Sequence, residues 1–122
     1  MADGRILNPK TARSQILGGI VWGVGQALTE ESVLDPNLGS WVTRTLADYR
    51  VPVSLDIGEV EIQFVDEQDP IINRLGVKGV GELGITSVAA CVANAIFHAT
   101  GRRLRHLPMT PERLLETPVT VL

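Results

Sequence analysis

Four glycines fall within nine residues in the run Gly76-Val77-Lys78-Gly79-Val80-Gly81-Glu82-Leu83-Gly84. A chain gives up that much backbone order only where the left-handed region is needed or where something must approach the main chain closely. An apolar helical pattern starts straight afterwards, so the run predicts a loop feeding a helix. Its single carboxylate, Glu82, then stands two or three residues ahead of that helix, where the partial positive charge of the helix end favours an anionic group. The placement suits a fixed carboxylate aimed at a bound molecule.

A second glycine problem lies upstream. From about Thr11 to Ser32 the pattern is helical: Ile16, Ile20, Val24 and Leu28 recur every four residues, with Leu17 and Val21 beside them. Gly18, Gly19, Gly23 and Gly25 sit inside this helix, each less favourable than alanine by about 1 kcal/mol. Something has to offset that. Gly19 and Gly23 are four apart and bare one stripe, against which either a close core neighbour or a bound group can pack. The apolar stretch from Ile16 to Leu28 is shorter than the ~20 residues of a membrane span.

Around these two features the chain reads as one domain, residues 1–122, of class α+β. The expected architecture is a small two-layer sandwich, a mixed sheet packed against two main helices. Ile85 to Thr100 makes the second helix, capped by Thr86 or Ser87 and closed by Gly101, with Val88, Val92, Ala95, Ile96 and Ala99 as its apolar stripe. Cys91 within it reads as a buried small hydrophobe. Val60, Ile62 and Phe64 alternate with Glu59, Glu61 and Gln63, which predicts a half-buried strand from Glu59 to Val65. Arg5-Ile6-Leu7 and Trp41-Val42-Thr43 suggest short strands; Asn8-Pro9 and Asp35 to Gly39 read as turns. Thr110 caps a short terminal helix with Pro111 at its first position, and residues 116–122 read as a loose tail.

Composition narrows the function classes. The net charge is −3 and the pI near 5.3, which gives no pointer to nucleic acid or an anionic membrane. A lone cysteine allows no internal disulfide and no thiolate-rich metal or iron–sulfur site. Glu59, Glu61, Asp66, Glu67 and Asp69 read as a solvated face and a turn, and His98 and His106 have no partners at ligand spacing; no metal ligand is assigned. No basic-then-apolar leader opens the sequence. The expected location is the cytoplasm, or the periplasm if a partner carries the export signal.

The run from Lys78 to Gly84 resembles the active-site glutamate motif of the molybdenum hydroxylases, the xanthine dehydrogenases and aldehyde oxidases with their bacterial molybdopterin-binding large subunits. A second match is independent of it. Asn8-Pro9, then Gln15-Ile16-Leu17-Gly18-Gly19, then Gly23-Val24-Gly25-Gln26-Ala27-Leu28-Thr29-Glu30-Glu31 is similar to a run near the C-terminus of those subunits. Tyr49-Arg50-Val51-Pro52 is similar to a linker that recurs in the same family. The motifs come in the family's order, and the resemblance spans Gly4 to about Leu115.

The resemblance implies that the chain is the C-terminal piece of a much longer molybdopterin-binding subunit. Such enzymes hydroxylate aldehydes or N-heterocycles with oxygen from water, and pass electrons through iron–sulfur clusters to a flavin such as FAD or another acceptor. Iron–sulfur and flavin subunits, the rest of the subunit and a small-molecule substrate are the partners implied. Glu82 would be the base that deprotonates the attacking hydroxyl. Gln15 would contact the pterin of the molybdenum cofactor, and Val80 and Gly81 would bring backbone close to the metal. The family's upstream cofactor loops are absent here, so the chain alone is expected to be inactive. Two other readings stay open. One is a non-catalytic assembly domain. The other is a dinucleotide-binding module, since Gly79-x-Gly81-x-x-Gly84 has that fingerprint's spacing. Against it, Glu82 would sit beside the pyrophosphate.

Overall fold

Helix formation starts at Asn8, whose side chain accepts hydrogen bonds from the Lys10 and Thr11 amides, with Pro9 in the first turn. Asparagine is a favoured N-cap and proline suits the first helical position, where its missing N–H is not needed. The dipeptide expected as a free turn is therefore the start of α1, Pro9–Leu28. A computed structural model describes the protein from residue 4 to residue 119. After α1 come β1 (Leu34–Asp35), β2 (Ser40–Trp41), α2 (Val88–Thr100) and α3 (Pro111–Glu116).

The class is α+β, but the sheet differs from the expected mixed one. Among the described residues it is a single antiparallel hairpin pairing Leu34 with Trp41 and Asp35 with Ser40. Asp35 builds its turn: the carboxylate accepts from the Asn37 and Leu38 amides and its carbonyl from the Gly39 amide. The segment from Glu59 to Val65 is not a strand here. Its burial still alternates, with Val60, Ile62 and Phe64 half-buried and Glu59, Glu61 and Gln63 exposed. A strand needs a ladder partner, and among the described residues no backbone hydrogen bond reaches this segment, only the Arg13 side chain donating to the Val60 carbonyl. Of the stub expected near Arg5, one isolated bridge remains, Gly4 to Val77, with the Arg5 amide donating to the Gly76 carbonyl at 2.8 Å.

The main contact between elements is α1 against α2. Its glycine stripe is the reason they fit: a Cβ at Gly23 would land on the Val88 side chain. The close neighbour at the stripe is thus the second helix and the loop before it. Ala27, Leu104 and Met109 form the core beyond, with Val92, Ile96 and Leu114 packed on it. The Met109 amide closes this region by donating to the Ala27 carbonyl at 2.7 Å. Cys91 is exposed, not buried. Residues from Glu116, expected to trail, are tied down as far as Val119. Arg102 donates to the Leu114, Leu115 and Thr117 carbonyls and bridges Val119; residues 120–122 lie outside the described part. Among the described residues no helix is long and apolar enough to cross a membrane.

Candidate active site

The glycine loop is held against the first half of α1 at two points. Gln15 Nε2 donates to the Gly81 carbonyl at 2.9 Å. Three residues further along the loop, Gly84 lies on the helix itself. A Cβ at Gly84 would fall 2.6 Å from the Ile16 carbonyl oxygen, and one at Gly19 would fall 2.9 Å from the Gly84 main chain. Only glycines allow this approach. Glu82 stands between the two contacts, its side chain exposed.

The loop is a run of turns, not a short lead into a helix. The Leu83 amide donates to Val80, Ile85 to Glu82 and Val88 to Ile85, at 3.0–3.1 Å. Gly81 takes φ = +45°, a conformation that disfavours any residue with a Cβ. Because α2 begins only at Val88, Glu82 is further from that helix than its sequence pattern suggests. The dipole's influence fades within a turn, so it does not serve Glu82. The α1 N-terminus does not serve as an anion site either, its first amides being taken by Asn8.

An anchor that the sequence reading missed fixes the upstream end of the loop. Lys78 Nζ lies 3.0 Å from Glu67 Oε2 and 3.3 Å from Asp69 Oδ2. Hydrogen bonding to Glu67, then to Asp69, raises the Lys78 pKa above its ordinary value. The Asp69 carboxyl is held below its ordinary value, first by the Ile71 amide and then by Lys78. Glu67 also accepts from the Gly4 amide. Two of the five acidic residues read as solvated thus hold the loop. The available signal was a lysine opening the glycine motif with carboxylates nine and eleven positions before it.

Between the start of α1 and the loop lies an open cavity of about 380 Å³, lined by Thr11, Gln15, Lys78 and Val80 among others. The structure therefore brings Gln15, Val80 and Gly81 together, with Glu82 next along the chain. Space around Gly79 and Gly81 is open, with no atom within 4 Å of where a Cβ would stand. Among the described residues no three His, Cys, Asp or Glu side chains gather as a metal ion would need. The dinucleotide fingerprint lacks its setting: residues 71–80 contribute one isolated bridge instead of a parallel strand, and Gly84 packs on α1.

The start of α1 and the loop residues Val77, Lys78 and Val80 form one rim of this cavity, with Glu82 two residues further along the chain. A model of the molybdopterin cofactor-binding domain matches residues 1–58. The molybdenum-binding subunit PaoC of an Escherichia coli K12 aldehyde oxidoreductase is 50% identical over 94% of this chain. The putative xanthine dehydrogenase molybdenum-binding subunit XdhA of the same strain is 41% identical over 93%. Among solved structures, quinoline 2-oxidoreductase from Pseudomonas putida 86 superposes with a TM-score of 0.83 over 96% of this chain, at 34% identity. The chain belongs to the molybdopterin-binding subunits of the xanthine dehydrogenase and aldehyde oxidoreductase family. It spans only 15–16% of the length of these relatives.

The rim suits one edge of such a cofactor. Gln15 lines the cavity with its amide, and Gly79 and Gly81, flanking the lining residue Val80, leave the backbone bare. The remaining contacts would come from outside this chain.

Proposed function

We propose that this chain is the C-terminal, base-carrying piece of a molybdenum hydroxylase acting on aldehydes or N-heterocycles. The observation that supports it is the hydrogen bond from Gln15 to the carbonyl of Gly81, the residue before Glu82. Gln15, Val80 and Gly81 would hold the molybdopterin cofactor, which when bound accepts the two electrons of the reaction. For an aldehyde the balance is RCHO + H2O giving RCOOH, two electrons and two protons. Glu82 takes a proton from the attacking water-derived hydroxyl, so that its oxygen can bond to the substrate carbon. Iron–sulfur clusters and FAD on other domains or subunits would carry the electrons onward. The rest of the molybdenum subunit completes the site, and the assembly works in the cytoplasm or, with an exported partner, the periplasm.

Glu82→Gln tests this in the complete enzyme. Glutamine keeps the shape and loses the base, so turnover per bound molybdenum should fall by roughly 10²–10⁴ with metal content unchanged. Near-normal turnover per metal would remove Glu82 from the chemistry.

A further inference from the structure

We propose that Gln15 is a positioning residue for Glu82, acting through the Gly81 carbonyl as well as any contact it makes with a cofactor. This rests on the reading of Glu82 as the base. A carbonyl oxygen only accepts, so the 2.9 Å contact fixes which end of the Gln15 amide faces the loop. Nε2 is committed to Gly81, and Oε1 is the end left for a bound group. Gly81 is the residue before Glu82 and holds a positive φ. On the other side, Gly84 is wedged onto Ile16 and Gly19.

Residues 15, 16 and 19 lie on one face of α1, so a single helical turn grips the loop on both sides of Glu82. The two grips differ in kind. The one at Gly84 is steric and built from main chain, so no side chain can release it. The one at Gly81 is a single hydrogen bond on an exposed side chain. Without it, Gly79 to Leu83 would keep the turn bonds at Leu83 and Ile85 and the bond from the Thr86 hydroxyl to the Leu83 carbonyl, none of which ties Gly81 to α1. Glu82 would then sample many orientations where catalysis needs one.

The test uses the complete molybdenum subunit and its holoenzyme. Gln15→Met keeps the length of the side chain and removes the donor. In cofactor-free subunit, amide exchange at Leu83 and Ile85 should quicken about tenfold or more. In holoenzyme, kcat per bound molybdenum should fall about tenfold or more with KM unchanged, as expected when an orienting contact is lost. Anything short of both changes overturns the proposal, including a loss confined to molybdenum content, which would make Gln15 a cofactor-holding residue alone. If Gln15→Met does not fold, Gln15→Glu is read in the same way, since it keeps the outward acceptor and loses the donor. Glu82→Gln, assayed alongside, separates the two claims: normal turnover there sinks the base assignment, while the exchange rates still decide whether Gln15 holds the loop.

Discussion

Gly18 and Gly19 are neighbours with opposite reasons to exist. A Cβ at Gly19 would strike the main chain at Gly84, whereas one at Gly18 meets nothing within 4 Å. In the 122-residue chain Gly18→Ala should therefore stabilise by about 0.4–1 kcal/mol, through helix propensity and a less flexible unfolded state. Gly19→Ala should destabilise by about 1–3 kcal/mol, the usual range for overpacking a tight contact. Denaturant unfolding of the two variants checks the opposite signs. Two changes of the same sign would mean that the helix does not rest on the loop as described. The same substitution at Glu82's neighbours has a different meaning. Gly84→Ala would push against the Ile16 carbonyl and shift the carboxylate itself, so stability and activity would fall together.

At the scale of elements, the Lys78 fork should make the loop sensitive to both extremes of pH. Asp69 has a lowered pKa, so its contribution is complete above the ordinary aspartate value of about 3.9 and disappears as the pH falls through its lower folded value. Lys78 has a raised pKa. Its contribution is complete below the ordinary lysine value of about 10.4 and disappears as the pH rises through its higher folded value. Protection of the Val77 amide, which donates to Asn73 Oδ1 within this anchored turn, should stay level from about pH 4 to 10 and drop outside that window. Lys78→Met should lower it throughout. A protection factor that ignores both the pH and the substitution would show that the fork is incidental.

The elements also show what the sequence made legible. Both long helices and the short one came through because a four-residue apolar repeat and capping residues are local signals: Ser87 and Thr110 stand at their N-caps as read, whereas Asn8, read as a turn, proves to be the cap of α1. Gln15, Val80, Gly81 and Glu82 were singled out by motif; Gln15 and Val80 line one cavity and Gln15 bonds to Gly81. The Lys78 fork was missed, because its one signal, the spacing from Glu67 and Asp69, does not by itself separate a carboxylate that holds a loop from one that faces water. The strand at Glu59–Val65 failed for the opposite reason. Its alternation is a true signal of one dry face, preserved in Val60, Ile62 and Phe64, but strand formation depends on a partner that local pattern cannot supply.

For the whole molecule the accessible surface is the telling quantity. A compact monomer of 13.2 kDa should expose roughly 6,400 Å², and this chain exposes 9157 Å². The excess of roughly 2,700 Å², about 5,400 Å² when both sides of a contact are counted, lies at the upper end of what permanent interfaces bury. Much of it is apolar: Leu55 and Ile71 are each 94% exposed, and Trp22 and Trp41 more than half. Trp22 shares α1's outer groove with Leu17, Gly18 and Val21, facing Val51 and Pro52, so the open side of Gly18 lies in this same unburied face. A chain left this open has the surface of a piece of a larger body, and the cavity beside Gln15 and Val80 is open as well. The purified 122-residue chain should therefore hold no stoichiometric molybdenum and oxidise no aldehyde, and it should bind a hydrophobic dye strongly. Supplying the remainder of the subunit should quench the dye signal and restore metal. Trp22→Asp should weaken that rescue, because it places a charge in an apolar contact. Elemental analysis and dye fluorescence give the readout: a full complement of molybdenum on the chain alone, with no dye binding, would show that the site and the surface are complete without a partner.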